Sequence, residues 1–176
     1  ILASGFLFAK SASAATYYVD ADITDTNASS ATPDFTTYNP TTFETTGGSD
    51  SVYKTIADVN AKTFAAGDFV YYKKGEIWTE QLTVPSSGSS GNVITFDAYG
   101  LGNKPQIDVS ADATSAYGIS LNNINYVSIN NIAIKGSGGA GAFSARGATG
   151  TGGSGFTVLV TGVDVLSNYG ASGGGD

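Results

Sequence analysis

The chain has 176 residues, no cysteine, histidine or methionine, and only 13 % charged residues. Disulfide scaffolds, thiol chemistry and the usual zinc ligand sets are therefore excluded within it. Fifteen acidic against eight basic side chains, a net charge of -7, argue against nucleic acid or an anionic membrane surface as partner, while 41 % hydrophobic residues and 10 tyrosines point to a packed, β-rich protein.

Residues 1–9 (ILASGFLFA) are apolar, and Ala12-Ser13-Ala14 has the small-x-small pattern that precedes signal cleavage. Segment 1–14 is thus expected to be the remnant of a signal peptide, with its true start missing and the mature chain exported to the cell surface or beyond; a short core strand is the alternative. Nothing else approaches the length of a membrane span. Thr16-Tyr17-Tyr18-Val19 has the propensity of a first strand. Residues 23–50, rich in Thr, Ser, Asn and Asp with Pro33, Pro40 and Gly47-Gly48, read as a long surface loop with little regular structure.

One helix is predicted, over 51–64 (SVYKTIADVNAKTF), capped by Asp50 or Ser51, with Tyr53, Ile56, Ala57 and Asn60 on one stripe and Gly67 placed for its C-terminal cap. Strands follow at 69–73 (FVYYK), 77–84 (IWTEQLTV) and 92–99 (NVITFDAY), separated by Lys74-Gly75-Glu76 and by the turn 85–91 (PSSGSSG). A short strand at 105–108 comes next. In 117–136 two short alternating runs are joined by Asn122, Asn123, Asn130 and Asn131, read as stacked corner residues that bond main chain between rungs.

Val127-x-Ile129-x-Asn131-Ile132-x-Ile134 can be laid over Val158-x-Val160-x-Gly162-Val163-x-Val165, 31 residues on. The length in excess of a leucine-rich coil is accounted for by a glycine-rich excursion at 136–155. Phe96 to Ile119 (23 residues) and Ile107 to Val127 (20 residues) also lie near one solenoid turn. A winding solenoid is favoured over a β-sandwich because no Asn-Gly or Asp-Gly hairpin turns occur. The expectation is an all-β, right-handed parallel β-helix with one short N-terminal capping helix: a leading strand, loop and helix over 15–66, and the first coils over 67–176.

Several motifs resemble the secreted right-handed parallel β-helix proteins of the pectate-lyase-like superfamily. They are Thr16-Tyr17-Tyr18-Val19-Asp20, Tyr53-Lys54-Thr55-Ile56, Gly67-Asp68, Lys74-Gly75-Glu76-x-Trp78, Pro85-Ser86-Ser87-Gly88-Ser89-x-Gly91 and Ile94-Thr95-Phe96-x-Ala98-Tyr99-Gly100. The likeness covers about residues 16–107 and departs from the family in the 23–50 loop. It implies many more coils than the chain holds, so the coils here are expected to be incomplete. It also implies an acidic polysaccharide as partner, acted on by a lyase or a glycoside hydrolase, or a non-enzymatic adhesin-type solenoid. Lyase members use a cation, usually Ca²⁺, and a Lys or Arg base to remove the proton α to a uronate carboxylate. Hydrolase members use paired carboxylates.

The residues offered for these roles are few. Lys135 and Arg146 are the candidate bases, and Trp78 and Tyr99 the candidate sugar-stacking rings, with Tyr71 and Tyr72 sorted between core and surface by alternation. Asp20 and Asp22, in Asp20-x-Asp22-x-x-Asp25, and Asp164 are the candidate Ca²⁺ ligands, although the EF-hand glycine and distal glutamate are absent. Ile134 and Val165 share a repeat position, so Lys135 and Asp164 are expected to form a surface ion pair of small value. The chain is expected to act as a monomer.

Overall fold

The computed structural model describes residues 13–23, 35–48, 52–112, 117–136, 142–146 and 157–166. The proposed signal segment lies outside them up to residue 12. Strands β1 (Thr16–Val19), β2 (Phe35–Asn39), β3 (Glu44–Gly48) and β4 (Val52–Tyr53) precede helix α1 (Ile56–Ala61). Then follow β5 (Phe69–Lys73), β6 (Ile77–Trp78), β7 (Leu82–Thr83), β8 (Ile94–Tyr99), β9 (Gln106–Asp108) and β10 (Ile119–Asn122). The last are β11 (Val127–Asn130), β12 (Ala133–Lys135), β13 (Phe143–Arg146), β14 (Val158–Thr161) and β15 (Asp164–Val165).

The chain visits three parallel sheets in turn, so each strand pairs with one from the previous coil. The sheet orders are β14-β11-β8-β5-β1-β4, β15-β12-β9-β6 and β13-β10-β7. This is a parallel β-helix. Its core is a set of ladders: Val70, Phe96, Ile129 and Val160 stack in the first sheet, Trp78, Ile107, Ile134 and Val165 in the second, and Leu82, Ile119 and Phe143 in the third. Most of these side chains are fully buried, each contributing about 1.5–3 kcal/mol of transfer free energy. Among the described residues no helix is long and apolar enough to cross a membrane.

The register Val127↔Val158 and Ile129↔Val160 is the alignment expected from the repeat. The two shorter spacings do not stack. Phe96 pairs with Ile129, and Ile119 lies on Leu82 in a different sheet. Ile107 pairs with Ile134, not Val127. A coil that turns three corners places residues one turn-length apart on unrelated faces.

Four further expectations are corrected. First, the 77–84 run is two strands, β6 and β7, in separate sheets. Second, the helix is shorter than 51–64. Val52 and Tyr53 pair with β1, and Thr55 is the cap, its Oγ1 accepting from Asp58 N at 3.1 Å. Lys62 N bonds Val59 O to close the last turn, so Gly67, at φ 95°, serves the turn into β5. Third, the supposed loop contains the antiparallel hairpin β2–β3. Its turn is tightened by Phe43 N bonding Asn39 O, with Phe43 at φ 61°. Fourth, the glycine-rich stretch contains β13, paired with β10.

The corners are asparagine-rich for the expected conformational reason: Asn123 and Asn131 have φ of 57° and 54°. Their neighbours bond side chain to side chain, however. Asn131 Nδ2 donates to Asp97 at 2.8 Å, and Thr161 Oγ1 donates to Asn130 Oδ1 at 2.5 Å. Closest packing occurs at Gly118, where a Cβ would overlap Ile134 Cγ2 and meet Ala142 O at 3.0 Å. Gly118→Ala is expected to lower stability by about 1–3 kcal/mol in urea unfolding.

Candidate functional site

Strand alternation turns Phe69, Tyr71 and Lys73 of β5 outward and buries Val70 and Tyr72. On the next strand over, Tyr18 pairs with Tyr71. On the other side Tyr99 pairs with Lys73. The hairpin β2–β3 lies against this outer face through two rings. Tyr38 packs on Tyr18 with centroids 5.1 Å apart, and Phe43 packs on Tyr99 at 6.3 Å. Between hairpin and coil is a cleft of about 570 Å³ lined by Tyr18, Phe43, Tyr71, Lys73, Lys74 and Tyr99, with Pro40 and Leu101 at its rim.

A buried ionic cluster closes the floor. Lys73 Nζ lies 3.0 Å from Asp20 Oδ1, 3.2 Å from Asp22 Oδ2 and 3.0 Å from Glu76 Oε1. Asp20 and Glu76 side chains are 1 % and 8 % exposed, whereas Asp22 is 78 % exposed. Glu76 reaches this position because Gly75, at φ 87°, turns the chain directly after β5. Its other oxygen accepts from Ala21 N at 2.6 Å. The Tyr38 hydroxyl donates to Asp20 Oδ2 at 2.6 Å and sits 2.5 Å from the Tyr99 hydroxyl. Tyr38 spends its one proton on the carboxylate, so Tyr99 is the donor to Tyr38.

Burial and the neighbouring Asp20 push the Glu76 carboxyl up to about 7, against the opposing bonds from Ala21 N–H and Lys73. Burial alone would lower the Lys73 ammonium, but its bonds to Glu76 and Asp20 outweigh it and hold the group above the ordinary lysine range. Burial, followed by hydrogen bonding to Asp20 and to Tyr38 respectively, raises the phenols of Tyr38 and Tyr99.

The three carboxylates have ligand oxygens within 4.8 Å of one another, as Ca²⁺ requires. They do not fit an added ion, because the Lys73 ammonium already fills their common focus and supplies the positive charge.

The sequence candidates thus separate. Asp20 and Asp22 meet in the cluster, and Tyr99 lines the cleft. Trp78 is corrected to a core residue: it is 4 % exposed, packs edge-on against Tyr72 at 5.4 Å and donates from Nε1 to Lys54 O. Tyr72 is fully buried beside it, and Tyr71 is the outward ring. The expected Lys135–Asp164 pair is not formed. Lys135 bonds Asp108 at 3.1 Å and Asp164 bonds Lys104 at 2.6 Å. Bonds from Ser110 and Lys135 outweigh burial and lower the Asp108 carboxyl. Asp164 is far along the coil from Asp20 and shares no cluster with it. Arg146 ends β13, in register with Asn122.

Sequence reasoning missed Tyr38, Phe43, Lys73 and Glu76 as site residues. The available signal was the outward alternation of 69, 71 and 73 followed by the Lys74-Gly75-Glu76 turn, which returns an acid to the last outward lysine.

No protein-family model matches the chain, and no curated protein matches it. Two crystal structures of the GH136 lacto-N-biosidase from Eubacterium ramulus are similar to it over 86 % of its length. The native protein has a TM-score of 0.54 at 16 % identity and the selenomethionine derivative 0.51 at 14 %. The match spans 27 % of each of those chains. At this identity the likeness is one of fold, the parallel β-helix.

Proposed function

We propose that this chain is part of an exported β-helix protein that acts on polysaccharide, and that the cleft between the hairpin and the first coils binds the saccharide. The observation that carries the reading is the convergence of four aromatic rings, Tyr18, Phe43, Tyr71 and Tyr99, on one open cleft of ligand size. Pyranose rings present apolar C–H faces, and burying them against rings is favourable. The fold likeness to a protein named as a lacto-N-biosidase supports a carbohydrate context. Lys74 supports an acidic saccharide. It lines the cleft and makes no ion pair among the described residues, whereas Lys73 is neutralised.

Binding, with any bond cleavage performed elsewhere in the protein, is favoured over a hydrolytic pair on these coils. Asp20 and Glu76 are buried and tied to Lys73, Tyr38 and Ala21, so neither presents a free carboxyl to the cleft. An adhesin-type solenoid fits the same observation.

Affinity electrophoresis and titration calorimetry against neutral and uronate oligosaccharides test the proposal. Tyr71→Ala or Tyr99→Ala is expected to weaken binding at least about tenfold, the scale of one lost ring contact. Lys74→Ala is expected to erase a preference for uronates. Retention of no saccharide on such a panel overturns the reading.

A further inference from the structure

We propose that the hairpin β2–β3 is a pH-controlled wall of the cleft, docked on the coils when Glu76 is protonated and released as Glu76 ionises. The inference goes beyond the saccharide reading and uses that reading only for its consequence. The hairpin supplies Pro40, Thr41 and Phe43 to one side of the cleft, and the coils supply Tyr18, Tyr71, Lys73 and Tyr99 to the other. Without the docked hairpin the cleft is an open sheet face.

Docking rests on two pins. Phe43 sits over the Lys73 ammonium, 4.4 Å from ring centroid to Nζ, and against Tyr99. Tyr38 covers Asp20 and bonds it. Both pins stand on the ionic cluster. The charged and titratable groups around Glu76 are Asp20 and Asp22 after β1, Lys73 on β5, Tyr38 on β2 and Tyr99 on β8.

With Glu76 neutral, one ammonium faces one buried carboxylate and one exposed one. Once Glu76 ionises, a second buried carboxylate is added beside Asp20 with no new cation. Undocking withdraws Tyr38 and admits water to the cluster, which relieves that excess. Linkage fixes the sign. Glu76 holds its proton to about pH 7 when docked, against an ordinary value near 4.5 when solvated. The docked state therefore binds more protons over that window, and its advantage falls by up to about tenfold per pH unit as pH rises through it. Above the window the balance is constant.

The test is hydrogen exchange of the full chain without saccharide, at pH 5 and pH 8, each amide corrected for its intrinsic rate. The hairpin opening constant is expected to rise on the order of a hundredfold between the two, while amides of β8 and β11 keep their protection. In Glu76→Gln, a neutral isostere of the protonated acid, the rise is expected to disappear. A flat hairpin profile in the wild type overturns the proposal, as does a rise shared by β8 and β11, or one that persists in Glu76→Gln. None of these outcomes bears on whether the cleft binds sugar, which the ring substitutions decide.

Discussion

Replacing Lys73 by methionine is expected to cost about 3–5 kcal/mol, the range found when one member of a buried ion pair is removed. Methionine keeps the apolar stem length but strips the ammonium from Asp20 and Glu76, whose side chains are 1 % and 8 % exposed. Asp22 contributes little to the loss because it is 78 % exposed and screened by water. The Phe43 ring also loses its cation. The variant's deficit should depend on pH. Protonating Glu76 removes one of the stranded charges, so the deficit is expected to be smaller at pH 5 than at pH 8. Denaturant unfolding at the two pH values measures this. An equal deficit at both would show that Lys73 acts by packing alone. In the wild type the ammonium is held above the ordinary lysine range, so its contribution is full below about pH 10.5 and is lost as pH rises through the folded value.

The second large effect lies in the core. Phe96→Ala is expected to cost about 3–5 kcal/mol. Phe96 is fully buried at the middle of the first-sheet ladder, between Val70 and Ile129, and meets Phe64 edge-on at 6.0 Å. Neighbouring coils cannot close over the gap, because their backbones are pinned by the same parallel ladder. Leu101→Ser, at a position 95 % exposed, is the control and should change stability by no more than about 0.5 kcal/mol. A loss at Phe96 as small as the control's would mean that the coils collapse locally and that the stack is plastic.

The winding was legible because its evidence is local. Alternation over 94–99, 127–134 and 158–165 marks which residues face inward, and the 31-residue echo gave the register now seen between β11 and β14. Where the reading failed, the missing information was non-local. Polar composition over 23–50 suggests a loop, yet 35–48 pairs as a hairpin because Tyr38 and Phe43 find partners on distant strands. Trp78 sits in an alternating run that straddles a corner, so parity assigned there does not carry across.

The cluster was only half legible. Asp20 and Asp22 invite a metal from their spacing alone. Their real counter-ion, Lys73, is 53 residues from Asp20, and the Tyr38–Tyr99 contact spans 61. Only the stacking of β1 on β5 and β5 on β8 brings these groups together. No spacing rule applied to one segment recovers a site assembled from four.

The stacked positions Val70, Phe96, Ile129 and Val160 are separated by 26, 33 and 31 residues, yet each lies directly over the last. Corners absorb the difference, and the entropy of a longer corner grows only logarithmically, about 0.6 kcal/mol per doubling. Insertions and deletions at corners are therefore nearly neutral, whereas a single-residue shift within a strand inverts its faces. Such a lineage drifts in length and keeps its architecture, and a peptide tag grafted into a corner should leave the ladders undisturbed.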